Sequence, residues 1–187
     1  MKNIFLQIRY NLPLHFILIL LNWMPENRIS LKFRGLCAKP FIKKCGKNLH
    51  LGGGLTLLNP YNLRIGDNVY IAKSTWINSM GGVEIEDEVV ISPNVVISSL
   101  QHVFKDRSVR FGGSIAKKVK IGSGSWIAAN STIKCGVIVG KGNILASNSS
   151  LIKSTPDFML SGGVPAKVIQ EVTDGEAEFF SRKEHVK

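Results

Sequence analysis

The sequence has few cysteines, few aromatic residues and few acids. Its 187 residues include three cysteines, without a CxxC spacing, and 8% aromatic residues. So sparse a cysteine set argues against a disulfide framework and fits a reducing compartment. Only 13 acids oppose 24 Lys and Arg, which leaves a formal charge of +11. This excess predicts an anionic partner such as nucleic acid, a membrane surface or a phosphorylated ligand. With 44% hydrophobic residues, intrinsic disorder is excluded.

The chain also lacks an apolar run long enough to cross a membrane. Residues 12–24 read LPLHFILILLNWM, shorter than the roughly 20 residues that a span requires. No small-residue cleavage site follows, which disfavours a signal peptide. Pro13 near its start and Pro25 after its end predict a helix between them. Two interpretations stay open: a helix packed on the body of the protein, or a peripheral anchor on anionic lipid. The flanking bases are Arg9, Arg28, Lys32 and Arg34.

What the sequence does contain is an aliphatic residue at every sixth position through its middle. Neither the 3.6-residue period of a helix nor the two-residue period of a strand explains this spacing. A prism of short strands does, with one hexad on each face and the aliphatic side chain inside. Small or β-branched residues four positions later are predicted to point inward near the corners. The aliphatic set is Ile65, Ile71, Ile77, Ile85, Ile91, Ile97, Ile121, Ile127, Ile133, Val139, Leu145 and Leu151; the second set is Val69, Thr75, Val89, Val95, Ser125, Ser131, Val137 and Ser149.

The segment 121–169, IGSGSWIAANSTIKCGVIVGKGNILASNSSLIKSTPDFMLSGGVPAKVI, resembles the hexapeptide-repeat acyltransferases, in particular the sugar and polysaccharide O-acetyltransferases. The resemblance covers about residues 48–170. It implies an all-β fold, a left-handed parallel β-helix, whose handedness is an exception to the usual right-handed crossover. It also implies a homotrimer with active sites between subunits and acetyl-CoA as acyl donor.

The resemblance divides the chain into three parts. Residues 1–47 are an apolar and basic N-terminal segment. Residues 48–170 are the β-helix, from which a loop at 103–120 is extruded. Residues 171–187 are a short tail, in which a helix is expected to begin near Asp174 with its carboxylate as cap.

Three residues match catalytic positions of the family. An alcohol is a weak nucleophile at neutral pH, so acetyl transfer from a thioester needs a base. His102 lies where the repeat is interrupted and matches the histidine that serves this role; His50 has no such match and is interpreted as a surface residue. Asn78 matches a residue that lines the acetyl and acceptor site. Ala129 matches a position whose backbone N–H resembles an oxyanion donor.

Five further residues match the family's coenzyme A site. Trp126 corresponds to a tryptophan near the cofactor, and Ser147 and Asn148 to small residues of the groove where the pantetheine runs. Lys153 and Lys167 resemble the basic groups that meet the phosphates, since the charged end of this cofactor needs cations.

The predicted function is acetyl transfer from acetyl-CoA to a sugar hydroxyl during synthesis of a capsule, O-antigen or exopolysaccharide, in the cytoplasm or at the inner face of the membrane. N-acyl transfer to a nucleotide-linked amino sugar would use the same base and donor and stays open. A metal site is not expected, because zinc in this fold needs three clustered histidines and only His50 and His102 lie near the repeat. Nucleic acid is not expected either, because the chain has no aromatic stacking platform or recognised helix motif.

Overall fold

The computed structural model describes residues 2–175, which form a parallel β-helix closed at its N-terminal end by helices. The helices are α1 (Lys2–Leu6), α2 (Leu12–Leu20) and α3 (Arg28–Ala38), with a π-helical turn at Gln7–Asn11 and 3-10 turns at Lys39–Phe41 and Pro60–Asn62. The strands are β1 (Lys44–Cys45), β2 (His50–Leu51), β3 (Thr56–Leu58), β4 (Leu63–Ile65), β5 (Tyr70–Ile71), β6 (Trp76–Asn78), β7 (Val83–Ile85), β8 (Val90–Ile91), β9 (Val96–Ser98), β10 (Leu100–His102), β11 (Ser114–Ala116), β12 (Val119–Ile121), β13 (Trp126–Ile127), β14 (Thr132–Ile133), β15 (Ile138–Val139), β16 (Ile144–Leu145), β17 (Ser150–Leu151), β18 (Met159–Gly163) and β19 (Ala166–Glu171).

Three sheets make the three faces of a prism. The first face contains β1, β4, β7, β12 and β15; the second contains β2, β5, β8, β13, β16, β18 and β19; the third contains β3, β6, β9, β14 and β17. Strands within a face pair in parallel, apart from the antiparallel β18–β19 hairpin. Each coil therefore supplies one strand to each face and rises by about 4.8 Å, the spacing of paired strands.

The interior of the prism is filled by the residues of the six-residue repeat. All twelve aliphatic positions are at most 2% exposed, and so are all eight positions of the second set. The sequence prediction that both sets point inward is thus confirmed. The corners turn through residues with positive φ, such as Asn94 (59°) and Asn130 (60°), a conformation that asparagine tolerates better than most residues. These two side chains also stack, because Asn94 Nδ2 donates to Asn130 Oδ1 at 3.1 Å.

The β-helix begins one coil before the repeat that the sequence made visible. Cys45 pairs with Ile65, and Leu51 and Leu57 are buried in the same core. The strand β1 therefore starts at Lys44, four residues before the predicted boundary at 48. The predicted boundary falls inside this coil because twenty residues, not eighteen, separate Cys45 from its partner Ile65, so the six-residue period is interrupted there.

The extruded loop is a hairpin of β10 and β11, paired antiparallel, and it ends earlier than predicted. The sequence prediction placed the loop at 103–120, but Val119 is fully buried and pairs with Val83 on the first face. Val119 fills the inward position that Val83 fills one coil earlier, so the chain has already rejoined the prism there. The excursion consequently occupies residues 100–118.

Helix α2 begins at Leu12, near Pro13 as the sequence predicted, and it continues a helical run that already starts at Lys2. Pro13 has no N–H to donate to the preceding turn, and that turn is widened, with the Leu12 N–H bonding Gln7 O. Leu14 and Leu18 then pack into the β-helix core. Within residues 2–175, no helix is long and apolar enough to span a bilayer. The helix predicted near Asp174 falls on residues 176–187, outside those described.

The helices cover the open end of the prism, where β1, β2 and β3 are edge strands. Helix α3 lies directly against this edge. A Cβ on Gly35 would come within 2.0 Å of Leu49 O, so only glycine allows the helix to approach so closely. Arg34 Nη1 donates to Leu51 O at 3.4 Å. We call residues 2–41 the cap; it protects backbone groups that would otherwise be unpaired.

Candidate active site

A groove of about 450 Å³ follows the corner where the second face turns into the third. Its walls come from the third, fourth and fifth coils and from β18, and most of its side chains are small. A narrow groove with a small-residue floor lets a thin ligand lie against the backbone. The lining residues are Ser92, Pro93, Trp126, Ala128, Ala129, Ile144, Ala146, Ser147 and Leu160.

Trp126 forms one wall of this groove. It stands on β13 with 46% of its surface exposed, and its indole Nε1 donates to Ser92 Oγ at 2.9 Å. The hydrogen bond fixes the ring across one coil spacing and leaves its apolar surface toward the groove. The ring is therefore a rigid contact surface that costs a ligand little ordering.

Ala129 presents an unused backbone donor at the same corner. Its carbonyl accepts the Asn148 N–H at 3.0 Å, whereas its own N–H bonds no backbone carbonyl of the described residues. An N–H held in this way can stabilise negative charge developing on a reacting oxygen. Ser147 lines the groove beside it, but Asn148, whose φ is 55°, turns the corner and is not among the lining residues.

The two predicted cofactor lysines lie at different corners. Lys167 is exposed on β19, opposite Gly162, and a Cβ on Gly162 would come within 3.1 Å of Ala146 Cβ in the groove wall. The β18–β19 hairpin thus borders the groove and carries Lys167 with it. Lys153 is exposed after β17, where the third face turns into the first.

Asn78 lies at the end of β6 and is 9% exposed. Its Oδ1 accepts hydrogen bonds from Asn59 Nδ2 at 3.0 Å and from the Met80 N–H at 3.1 Å. Tyr61 in turn donates to Asn59 Oδ1 at 2.9 Å. The amide oxygen is therefore occupied, which leaves Nδ2 as the group that can hold a ligand. Asn59 and Tyr61 were not expected at this site from the sequence; the Asn-Pro step at 59–60, a turn signal, is the one feature that marks them.

His102 lies near Asn78, on the next coil. It is exposed on β10 opposite Ser114. Three residues earlier, Ser99 donates both its N–H (3.0 Å) and its Oγ (2.7 Å) to Asn78 O, so the hairpin leaves the prism at the corner where Asn78 sits. An exposed imidazole at this corner is accessible to an acceptor molecule.

His50 differs from the surface residue that the sequence predicted. It is half-buried on β2, and its Nε2 is buried without a hydrogen-bond partner among the described residues. Burial lowers the pKa of His50, and the cations Lys32 and Arg28 lower it further. His50 belongs to the first coil, directly under the cap, whereas the groove lies on the third, fourth and fifth coils. Within residues 2–175, no three His, Cys, Asp or Glu side chains come together as a metal site would require.

The predicted base and the groove lie at different corners of one chain. The register aligns Ile133 with Ile97 and Asn78 with Ser98, so Asn78 corresponds to the position of Lys134, five residues after Ala129. Five extended residues span about 15 Å, which is the width of the third face. One chain therefore does not bring Asn78 and His102 together with Trp126, Ala129 and Ser147.

Comparison with known proteins shows which proteins the chain resembles. The model of the bacterial transferase hexapeptide, comprising six repeats, matches residues 118–153, and that of the hexapeptide repeat of succinyl-transferase matches residues 62–99. These matches confirm the resemblance to hexapeptide-repeat acyltransferases that the sequence predicted. The chain is an all-β, left-handed parallel β-helix of hexapeptide repeats with an N-terminal helical segment.

Its relatives include acetyltransferases of sugars and polysaccharides. Galactoside O-acetyltransferase of Escherichia coli K12 is 29% identical over 147 residues, 75% of this chain and 63% of the relative. The putative colanic acid biosynthesis acetyltransferase WcaF of the same organism is 26% identical over 154 residues, 82% of each chain. The present chain thus spans less than two thirds of the galactoside enzyme.

A solved structure supports the fold assignment. Galactoside acetyltransferase in complex with coenzyme A has a TM-score of 0.80, covering 95% of this chain and 88% of that one at 24% identity. At this level of identity the likeness concerns the fold alone.

Proposed function

We propose that this protein transfers an acetyl group from acetyl-CoA to a sugar hydroxyl during synthesis of a surface polysaccharide, in the cytoplasm or at the inner face of the membrane. The observation that carries the proposal is the corner groove. It is lined mostly by small side chains, it has an indole wall at Trp126 held by a hydrogen bond, and it holds the free N–H of Ala129. A pantetheine arm is a thin ligand of the kind that such a groove accepts.

The reaction assigns one role to each predicted catalytic residue. His102 takes the proton of the sugar hydroxyl as its oxygen attacks the thioester carbonyl carbon. The resulting oxyanion is stabilised by the Ala129 N–H, and Asn78 Nδ2 positions the acceptor or the carbonyl. When the C–S bond breaks, the imidazolium of His102 protonates the departing thiolate, which restores the neutral base and releases coenzyme A and the sugar ester.

A homotrimer supplies what a single chain keeps apart. In a cyclic trimer, a different surface of each subunit contacts the next one. The corner that carries Asn78 and His102 can then face the groove of a neighbour across each of three equivalent interfaces. The separation of about 15 Å within one chain is consequently no obstacle to the site, and it is the reason why the trimer is part of the proposal.

The two lysines are expected to bind the phosphates of coenzyme A. If either meets the 3′-phosphate, Lys153→Ala or Lys167→Ala should weaken coenzyme A binding by about tenfold or more, because hydrogen bonds to charged groups are among the stronger ones. Binding of dephospho-CoA should change little. Isothermal titration with both ligands measures the difference, and Lys141→Ala, which removes an exposed lysine of the fifth coil, is the matched control.

The outcome of that titration locates each lysine. Equal losses for the two ligands would place the lysine elsewhere on the cofactor. Unchanged affinity for both ligands, as in the Lys141→Ala control, would contradict its assignment to the cofactor site.

The acceptor is tested on the cell's surface glycan. Deletion of the gene should remove an acetyl group from a sugar oxygen, which mass spectrometry detects as a loss of roughly 42 mass units per site, the mass of C₂H₂O. Mild base should release the same group from the wild-type glycan, as it does any ester. A plasmid carrying the His102→Ala gene serves as the matched control and should not restore the group. Loss of an N-acyl group instead would contradict the proposal and support transfer to an amino sugar.

A further inference from the structure

The cap exposes an apolar helix face. Helix α2 contains no charged residue, and Leu14 and Leu18 on one side are buried in the core. Phe16, Ile19 and Leu20 lie on the opposite side, on average about 200° around the helix from Leu14, and are 55–67% exposed. A helix that is apolar all round is ordinarily covered on all sides, so this face is expected to have an occupant.

Helix α3 carries a second apolar stripe. Ile29, Phe33 and Leu36 have the spacing of one helix face and are 79%, 44% and 67% exposed. The side of α3 that packs on the first coil is instead formed by small residues and a buried arginine. Trp23, in the connection between the two helices, is 82% exposed.

Both stripes point away from the prism at its N-terminal end. The inner side of α3 lies against the carbonyls of Leu49 and Leu51 at the open end of the first coil. The inner side of α2 packs into the core just below, through Leu14 and Leu18. The opposite sides of both helices therefore form one outer surface of the cap, apolar across its centre.

Cations border this surface. Arg28 and Lys32 are exposed on α3, one turn apart and beside the apolar stripe. The acid within residues 2–41 is Glu26, and it is paired with the buried Arg34 at 2.7 Å. An apolar centre with a cationic border is complementary to the apolar boundary and anionic headgroups of a bilayer surface.

We infer that the cap docks this protein on the surface of an anionic bilayer, with α2, Trp23 and α3 at the boundary between headgroups and acyl chains. A second copy of the chain fits this surface less well. A two-fold contact through the cap would bring the Arg28 and Lys32 of both copies together, and like charges across an interface are unfavourable.

Trimerisation would strengthen the docking. Rotation about a three-fold axis leaves the direction along that axis unchanged, so the three caps of a cyclic trimer face the same side. The weak contacts of the three caps with the bilayer then combine into a higher overall affinity. This step rests on the proposed function; bilayer contact by a single cap does not, because it needs neither acetyl-CoA nor His102.

The test is sedimentation of the full chain with vesicles of phosphatidylcholine alone or with about 30 mol% phosphatidylglycerol. We expect binding to the anionic vesicles at low salt and release as salt screens the charges. Phe16→Ser/Leu36→Ser should weaken binding by about 30-fold or more, because two exposed apolar side chains lose their contact with the bilayer. The matched control, Phe111→Ser/Val164→Ser, removes two side chains that are 89% and 77% exposed outside the cap and should bind as wild type.

The charge contribution is measured separately. Arg28→Gln/Lys32→Gln should weaken binding to anionic vesicles by about tenfold at low salt, whereas Lys134→Gln/Lys141→Gln, two exposed lysines of the later coils, should not. Coenzyme A binding and light scattering report folding and oligomeric state for every variant. The inference would be overturned if the wild-type chain did not bind anionic vesicles, or if the cap variants bound them as well as their controls. It would also be overturned if Phe16→Ser/Leu36→Ser changed the oligomeric state while the wild type did not bind vesicles, because the apolar face would then be a contact between copies of the chain.

Discussion

Replacement of His102 by alanine is expected to lower kcat by about 10²- to 10⁴-fold, the usual contribution of a positioned acid–base group. His102 is exposed on the hairpin and outside the core, so the β-helix and the coenzyme A groove should be unaffected. Steady-state kinetics with acetyl-CoA and a sugar acceptor measure kcat, and titration measures coenzyme A affinity. His15→Ala, which removes an exposed histidine in the cap, should keep wild-type turnover. Wild-type kcat in the His102→Ala protein would remove the proposed mechanism.

Mixed trimers test whether each site is shared between subunits. Ser147→Trp should block the groove, since it places an indole where a small exposed side chain lines the wall. The His102→Ala and Ser147→Trp proteins should each be nearly inactive alone. After the two are unfolded and refolded together, about one interface in four should pair an intact His102 with an intact groove, by random assortment around the three-fold axis. A mixture no more active than its components would contradict a shared site.

Arg34→Met is expected to lower the free energy of unfolding by about 2–4 kcal/mol, because it leaves backbone carbonyls beside a buried side chain without their donors. The ion pair itself adds little, since the Glu26 side chain is 40% exposed. Arg34 is 1% exposed, and its guanidinium bonds Glu26 Oε1 at 2.7 Å, Leu21 O at 3.2 Å and Met24 O. Methionine replaces the apolar stem of the side chain but none of its donors. The carbonyls that tie the α2–α3 connection to α3 then lose their partners, at a cost of about 1–3 kcal/mol for each buried group.

Urea unfolding monitored by circular dichroism measures this effect. Arg28→Met on the same helix removes an exposed arginine and should stay within about 0.5 kcal/mol of the wild type. Arg34→Lys keeps the charge but lacks the planar fork, so it should recover only part of the loss. Equal stability of the Arg34→Met and Arg28→Met proteins would show that the buried guanidinium does not hold the cap in place.

The repeat could be predicted from the sequence because its cause is local. Each face needs one inward side chain, so residues such as Ile91 and Ile127 mark the period directly, and both are fully buried. The period fails where a corner holds extra residues. That is why the predicted start at 48 falls inside the first coil, four residues after Lys44, and why the loop was drawn two residues too long at Val119. The helical turns before Leu12 were not predicted, since the π-helical turn before Pro13 leaves no mark on the apolar pattern.

The candidate site depended on resemblance for its residues and on the structure for their arrangement. The hexad register places Asn78 at the end of the third face and Trp126 on the second, but nothing in the spacing indicates where the extruded hairpin brings His102. Likewise, the hydrogen bond from Asn59 Nδ2 to Asn78 Oδ1 joins residues of different coils, and a linear pattern does not register such a contact.

By itself, the sequence determined which residues face the interior of a prism of short strands, because a six-residue period is a property of neighbours along the chain. The handedness of the fold and the candidate base were implied by the resemblance to a family. The tertiary structure decided the rest. It placed His102 and the groove on different corners, which makes a second subunit part of the proposed site, and it turned the apolar stripes of α2 and α3 outward. Both outcomes depend on how the coils stack and how the cap closes them, and stacking is settled by contacts between residues that are about twenty positions apart or more.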